Sequence, residues 1–403
     1  MESIDFGTKS LTIFADTSVE KFHYKLQKII KKSELELCGT NSMGFHNLIN
    51  QVRISPFGFP LDLKKGNISL IVQSGSVMGA LLNNDRRLKY NYIVSSGSEI
   101  YTSAAEYLSW VINQKTTKVV GLFLEAIRNP KGFVEALKSA KSKNIPVVIL
   151  KVGKTETSSK LALSHTGALV GNYEVFKTIA NENGAHIVNT IDEMAASLQV
   201  FSHYKIPANG YGIASIHDSG GESELMVDLA EEFSIPYANI SQETKKNISR
   251  ELEPTMKAEN PLDAWGSGYN ADKLFEKTFL ILLNDKSVSL GLYVMDWRQD
   301  YYLHLMHEKV LYKILLKTQK PVIAVSNYSM TNDQELAIRL QEHGIPLIKG
   351  TMEAMVAIKN LINNKKSITK KKFRFTNSKK QFWLKKLFKN KSLDILESHK
   401  LIA

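Results

Sequence analysis

Of the 403 residues, 52 are Lys or Arg and 40 are Asp or Glu, a formal charge of +12, and 43% are hydrophobic. The excess charge is local: residues 365–391 hold 12 Lys and Arg and no acid, and the other 40 basic residues balance the 40 acidic ones, which argues against a nucleic-acid-binding body. A single cysteine, Cys38, excludes an internal disulfide framework and suits a reducing compartment; no apolar run reaches membrane-span length, and no signal peptide opens the chain.

The length suggests two or three domains. Residues 1–37 read as two weak strand or helix pieces, with a helix over 19–31. A loop with two glycines and an asparagine, Gly39-Thr40-Asn41-Ser42-Met43-Gly44, follows, and a linker-like stretch containing Pro56 and Pro60 ends at Gly66. From residue 67 the pattern is regular. Strand 68–72, the turn Gln73-Ser74-Gly75-Ser76 and helix 77–88 come first, then strand 92–94 and a helix through 111 with the capping pair Ser103 and Glu106. Strand 119–124, helix 132–143 and strand 147–150 follow.

A polar approach over 151–160 leads to Ser164-His165-Thr166-Gly167-Ala168-Leu169, which reads as a strand-to-helix loop before a helix over 173–183. A neutral imidazole in such a loop is a nucleophile at physiological pH, or simply a histidine bonded to backbone. Strand 186–188 and a helix from the capping pair Thr190 and Glu193 to about residue 201 complete this part. Short apolar strands alternating with amphipathic helices imply an α/β fold with a doubly wound parallel sheet.

Residues 205–210 look like a boundary, after which the alternation restarts. Strand 211–216 runs into His217-Asp218-Ser219-Gly220-Gly221-Glu222 and a helix to 233. After residues 235–238 come a helix over 241–252 and the loop 259–266, holding Asn260-Pro261-Leu262-Asp263. Helix 272–283, strand 290–295, helix 303–316, strand 322–325, a helix capped by Thr331 and Gln334, strand 346–348 and helix 352–362 make a second doubly wound domain. In both halves the first strand ends in Ser-Gly and turns directly into a helix. Such a turn brings free N–H groups and about half a positive charge to an anion, and ligands of these sheets bind at the carboxyl ends of strands. No Cys/His spacing suits a structural metal; Trp265 and Trp297 read as packing or pocket walls, and Met43, Met295 and Met306 as core.

These segments resemble the NDP-forming acyl-CoA synthetases, the superfamily of succinyl-CoA synthetase and the ADP-forming acetate–CoA ligases. Ser164–Leu169 is similar to that family's phosphohistidine loop, Gln73-Ser74-Gly75 to the helix start facing it, and Leu124-Glu125-Ala126-Ile127 to the segment whose glutamate holds the histidine. Ser219-Gly220-Gly221 with Asn260-Pro261-Leu262-Asp263 resembles the second helix cradle, and residues 39–44 the Gly-Pro-Asn-Cys-Met-Gly loop that closes the CoA-binding domain.

The resemblance implies acyl-CoA + phosphate + ADP in equilibrium with acid + CoA + ATP, through phosphorylated His165 with Glu125 orienting it. It implies phosphate binding by Gln73, Ser74, Gly75, Ser76, Gly167, Ser219, Gly220 and Gly221, and a CoA or substrate loop with Asn41, Asn260 and Asp263. It also implies four parts: a CoA-domain remnant over 1–60, a flavodoxin-like domain with the phosphohistidine loop over 66–204, a second over 209–363, and a basic linker leading to an ATP-grasp domain over 364–403. The implied cofactors are CoA, ATP or ADP and Mg2+, with nucleotide and metal on an ATP-grasp chain or domain that these residues do not include. The implied setting is a cytoplasmic oligomer acting on a small acid and its CoA thioester, away from membranes.

Three departures accompany the match. The Gly-rich loop of a full CoA-binding Rossmann half is missing, Thr40, Ser42 and Val72 replace the family's Pro, Cys and Ser, and 392–397 resembles only the opening of an ATP-grasp part. The chain is therefore expected to be the middle of a longer fused enzyme, as a subunit or a fragment. The competing reading is a non-catalytic binding or regulatory relative. The lysines of 365–391, interleaved with Phe373, Phe375, Phe382 and Trp383, read as an interdomain linker, with a nucleic-acid or membrane-surface segment as the alternative.

Overall fold

A computed structural model describes residues 2–16, 20–33, 35–60, 62–166, 172–298, 301–330, 333–369, 381–382 and 385. It divides into two compact units, Met1–Ile368, which carries every strand among the described residues, and Thr369–Ala403. Most of the basic segment lies outside the described residues, as does 392–397.

The N-terminal pieces form one βαβ unit. Strands β1 (Ser10–Ile13) and β2 (Glu36–Gly39) pair in parallel, joined by the helix Glu20–Lys32. Leu26 and Ile30 of that helix pack with Leu11, Ile13, Leu35, Leu37 and Ile100 in a small core. The strands are four residues long, so their sequence signal is weak, and the crossover helix is what makes the parallel pairing possible.

The larger sheet has the order β4-β3-β6-β5-β7-β8-β9. Its strands are β3 (Gly44–Asn47), β4 (Val52–Ile54), β5 (Ile68–Val72), β6 (Tyr90–Ser95), β7 (Val119–Leu124), β8 (Val147–Lys151) and β9 (Ala185–Val188). β5 to β9 are parallel, and β3 with β4, which the sequence reading leaves in the N-terminal piece, adds an antiparallel edge. β5 to β8 are buried on both faces, which is why β5, β7 and β8 read as largely apolar stretches without a polar alternation.

The second sheet has the order β11-β10-β12-β13-β14. Its strands are β10 (Gly212–His217), β11 (Leu262–Asp263), β12 (Val288–Val294), β13 (Val322–Ser326) and β14 (Leu347–Lys349), all parallel. Residues 235–238 add one isolated parallel bridge, Ile213 to Tyr237. The parallel parts of the two sheets share one topology, and each reverses strand order beside its first parallel strand: between β5 and β7, and between β10 and β12. Crevices at such reversals are where ligands of these folds bind. One hydrophobic core runs through both sheets, from Leu70 and Val72 through Met194 and Phe201 of the helix Ile191–His203 to Ile213, Leu290 and Ile358.

Three local expectations change. The approach to His165 is a helix, Glu156–Thr166, so the backbone of His165 is helical and not in a loop. The helix Gln334–Glu342 is capped by Asp333, whose side chain accepts from the Leu336 N–H at 2.8 Å; Thr331 lies outside the described residues. Thr190 caps its helix, but Glu193 reaches back to the Asn189 N–H and not to that of Thr190.

Candidate functional site

The crevice between the carboxyl ends of β5 and β7 holds a cleft of about 550 Å³. Asn41, Gln73, Ser74, Gly75, Ser76 and Glu125 line it together, with Phe14, Ser42, Met43, Phe57, Gly97 and Ser98. Six separated segments therefore meet there: the end of β1, the loop after β2, the stretch after β4, the turns after β5 and β6, and the end of β7.

The turn after β5 starts the helix Gly75–Asn84. Its Ser74 makes no capping bond and pairs instead with the Ser76 hydroxyl at 3.0 Å. Ser103, Asn129, Asn172, Thr190, Ser241 and Asp333 all cap their helices with side-chain oxygens. The Gly75 helix thus presents first-turn N–H groups to the cleft without a side-chain acceptor, at the positive end of its dipole. Gly75 is required by close approach, because a Cβ there would lie 2.1 Å from Met43 Cγ.

The loop after β2 is tied to the same wall. Asn41 N–H donates to Ala15 O at 3.0 Å, and Ser98 N–H to Thr40 O at 2.8 Å. Ser42 Oγ donates to Ser95 O at 2.6 Å and accepts from the Gly44 N–H at 2.8 Å.

Gln73, expected as a phosphate ligand, has another use. Its Oε1 accepts from the N–H groups of Glu125 at 2.5 Å and Ala126 at 2.9 Å, and its Nε2 donates to Ala126 O at 2.8 Å. The amide clamps the backbone that carries Glu125. Behind it Glu99 is 4% exposed, and burial holds its carboxyl above the usual range although Ser96 and Gln73 bond to it.

Lys151, at the end of β8, also reaches this backbone and was not singled out by sequence reasoning. Its Nζ donates to Glu125 O at 2.8 Å and also to Val152 O. A lysine closing an otherwise apolar strand, after Val147–Leu150, is the signal that could have marked it.

No cationic side chain is among the described residues lining the cleft, so an anion held there depends on N–H groups and hydroxyls. The side chain of His165, and Gly167 entirely, lie outside the described residues.

The second glycine turn is separate. Ser219, Gly220, Gly221, Asn260 and Asp263 line no part of this cleft. Ser219 likewise makes no capping bond at the start of the helix Gly220–Glu232. The surroundings differ in charge, however: burial, then the carboxylates of Glu222, Asp296 and Asp263, push Asp218 up to about 6. Asn260 is consumed structurally. Its Nδ2 donates to Ile213 O and Ala238 O, both at 2.9 Å, and its Oδ1 accepts from the Ser215 N–H at 3.1 Å. Trp297 is buried, with Nε1 donating to Val325 O at 3.1 Å, and is a packing residue. Among the described residues no group of three or more His, Cys, Asp or Glu could hold a metal, and no helix is long and apolar enough to cross a membrane.

Residues 65–201 match the family model of the succinyl-CoA ligase-like flavodoxin domain. The ADP-forming acetate–CoA ligase II of Archaeoglobus fulgidus is 28% identical over 274 residues, 66% of this chain and 40% of that protein. The alpha subunit of the ADP-forming acetate–CoA ligase II of Pyrococcus furiosus is 27% identical over 292 residues, 70% of this chain and 62% of that subunit. The chain thus spans 40% and 62% of these relatives, less than two thirds of either. In fold it is similar to the dinucleotide forming acetyl-coenzyme A synthetase 1 of Ca. Korarchaeum cryptofilum, solved with phosphate and ADP. That likeness has a TM-score of 0.81 at 18% identity and covers 91% of this chain and 80% of that one.

Proposed function

We propose that this chain, a relative of the NDP-forming acyl-CoA synthetases with a succinyl-CoA ligase-like flavodoxin domain, is the phosphoryl-accepting component of an ADP-forming acyl-CoA ligase. The observation that carries the reading is the cleft at the β5/β7 reversal, where an uncapped helix start and Glu125 face the same space. An acyl phosphate seats its phosphoryl oxygens on the N–H groups of Gly75 and Ser76 and the hydroxyls of Ser74 and Ser76. One imidazole nitrogen of His165 attacks phosphorus. The bond between phosphorus and the acyl oxygen breaks, and the acid leaves as its carboxylate. The other ring nitrogen keeps its proton and donates it in a hydrogen bond to Glu125, which balances the charge on the phosphorylated ring.

The thioester end of an acyl-CoA would sit in the cleft beside Asn41, while its phosphates find no cationic side chain among the described lining residues. Gln73 serves the site by holding Glu125. Gly167, Ser219, Gly220, Gly221 and Asp263 keep their proposed phosphate and substrate roles for the second half of the reaction, in which the phosphoryl group passes to ADP. That step would use Mg2+ and an ATP-grasp chain or domain, in an oligomer in the reducing cytoplasm that suits Cys38. The four-part division of the chain is proposed on the same footing.

The test is acetyl phosphate labelled at phosphorus, with γ-labelled ATP plus an ATP-grasp partner chain as second donor. Acid-labile, base-stable label on the wild type that vanishes in His165→Asn is the expected result. No label from either donor on folded wild type would overturn the reading and leave a binding module.

A further inference from the structure

Lys151 faces Leu124 across the β7/β8 register and is 4% exposed. Its ammonium bonds only to carbonyl oxygens, those of Glu125 and Val152, and forms no ion pair among the described residues. Burying a charge to satisfy two carbonyls is costly when a neutral amide donor would serve them. Burial lowers the Lys151 pKa to about 8, and the Glu125 carboxylate is the charge that opposes this. Gln73 holds the N–H side of the Glu125 peptide, and Lys151 holds its C=O side.

We propose that Lys151 is a positioning residue for Glu125: it fixes the Glu125 carbonyl, and its buried charge directs the neighbouring carboxylate to the imidazole it must orient. This rests on the reading that Glu125 serves His165. Lys151 forms and breaks no covalent bond in that scheme and gives up no proton. Its effect is on how often the carboxylate stands in the geometry that the transfer needs, and misplacement by about 1 Å costs on the order of 100-fold in such reactions.

The experiment follows the rate of phosphorus labelling from acetyl phosphate on the full chain for the wild type, Lys151→Met, Lys151→Gln, Glu125→Gln and the Lys151→Met/Glu125→Gln pair, with the thermal midpoint of each. Lys151→Met is expected to label about 10- to 100-fold more slowly to the same final extent, with Lys151→Gln, which keeps a donor but no charge, between it and the wild type. In the Glu125→Gln background Lys151→Met is expected to cause no further slowing, a non-additivity that a general structural defect would not produce. If Lys151→Met does not fold, Lys151→Gln carries the same comparison. A wild-type rate in the Lys151 variants, or equal slowing in both backgrounds, overturns the inference alone. No label on the wild type overturns the His165 reading and this inference with it.

Discussion

At the residue scale the cleft wall depends on Gly97. Its φ is +61°, and a Cβ there would lie 2.1 Å from Thr40 O and 2.5 Å from Asn41 O. Both contacts are backbone, so no rotamer relieves them. Gly97→Ala should displace the loop carrying Asn41 and cost more than the about 1–3 kcal/mol of a left-handed non-glycine residue alone. Gly58→Ala, where a Cβ meets nothing within 4 Å, should stay within about 0.5 kcal/mol of the wild type. Urea unfolding of the two variants checks both, and equal midpoints would refute the argument. At this scale much of the cleft was legible, since Asn41, Gln73, Ser74, Gly75, Ser76 and Glu125 arrive together. What was not legible is who bonds to whom. That Gln73 clamps a backbone, that Asn260 ties three strands and loops, and that Lys151 reaches the Glu125 carbonyl are long-range pairings that spacing does not encode.

At the element scale the helix Gly75–Asn84 combines an uncapped start at the cleft with a weak middle. Gly79 lies in its interior, and the nearest atom to a Cβ there is Asn83 Nδ2 at 3.8 Å, an ordinary contact. Gly79→Ala should therefore stabilise the chain by about 0.5–1 kcal/mol, through the entropy that glycine loses on entering a helix. The first-turn N–H groups stay as they are, so labelling of His165 should not change. A thermal melt beside the labelling assay reads both, and a lowered midpoint would mean that the helix has no room for the methyl group. The elements that sequence reading missed each have a local cause. The helix Glu156–Thr166 opens with Glu-Thr-Ser-Ser, residues whose side chains compete for backbone hydrogen bonds, and so it reads as loop. The N-terminal βαβ unit has strands too short to show a period.

At the scale of the whole molecule, buried neutral histidines sit on separate elements of both sheets and their helices. His46, His186 and His307 are buried, and burial lowers each to about 4; His217 falls to about 3 for the same reason. In the unfolded chain each returns to an ordinary value near 6.5. Between about pH 6.5 and 4 the unfolded state therefore binds more protons than the folded one, and stability falls as pH drops through that window. Asp218, held up at about 6, acts in the opposite sense, because its folded form takes a proton more readily than the unfolded chain does. Glu99, also held above its ordinary range by burial, acts in the same sense as Asp218, while His203, lowered to about 4, joins the other imidazoles; two carboxyls against five imidazoles leave acid the destabilising direction. His186 isolates one contribution: its Nε2 meets Asn364 Oδ1 at 3.2 Å and joins β9 to the helix Thr351–Thr369. His186→Gln keeps a polar partner for Asn364 and removes the titration. The variant should lose up to about 1.4 kcal/mol per pH unit from the acid-side slope, the value of one proton. Urea unfolding free energies at pH 7.5, 6 and 5 measure that slope. An unchanged slope in the variant would mean that His186 carries its proton inside the fold, and that the Asn364 contact is a charge-assisted bond holding the long helix to the sheet.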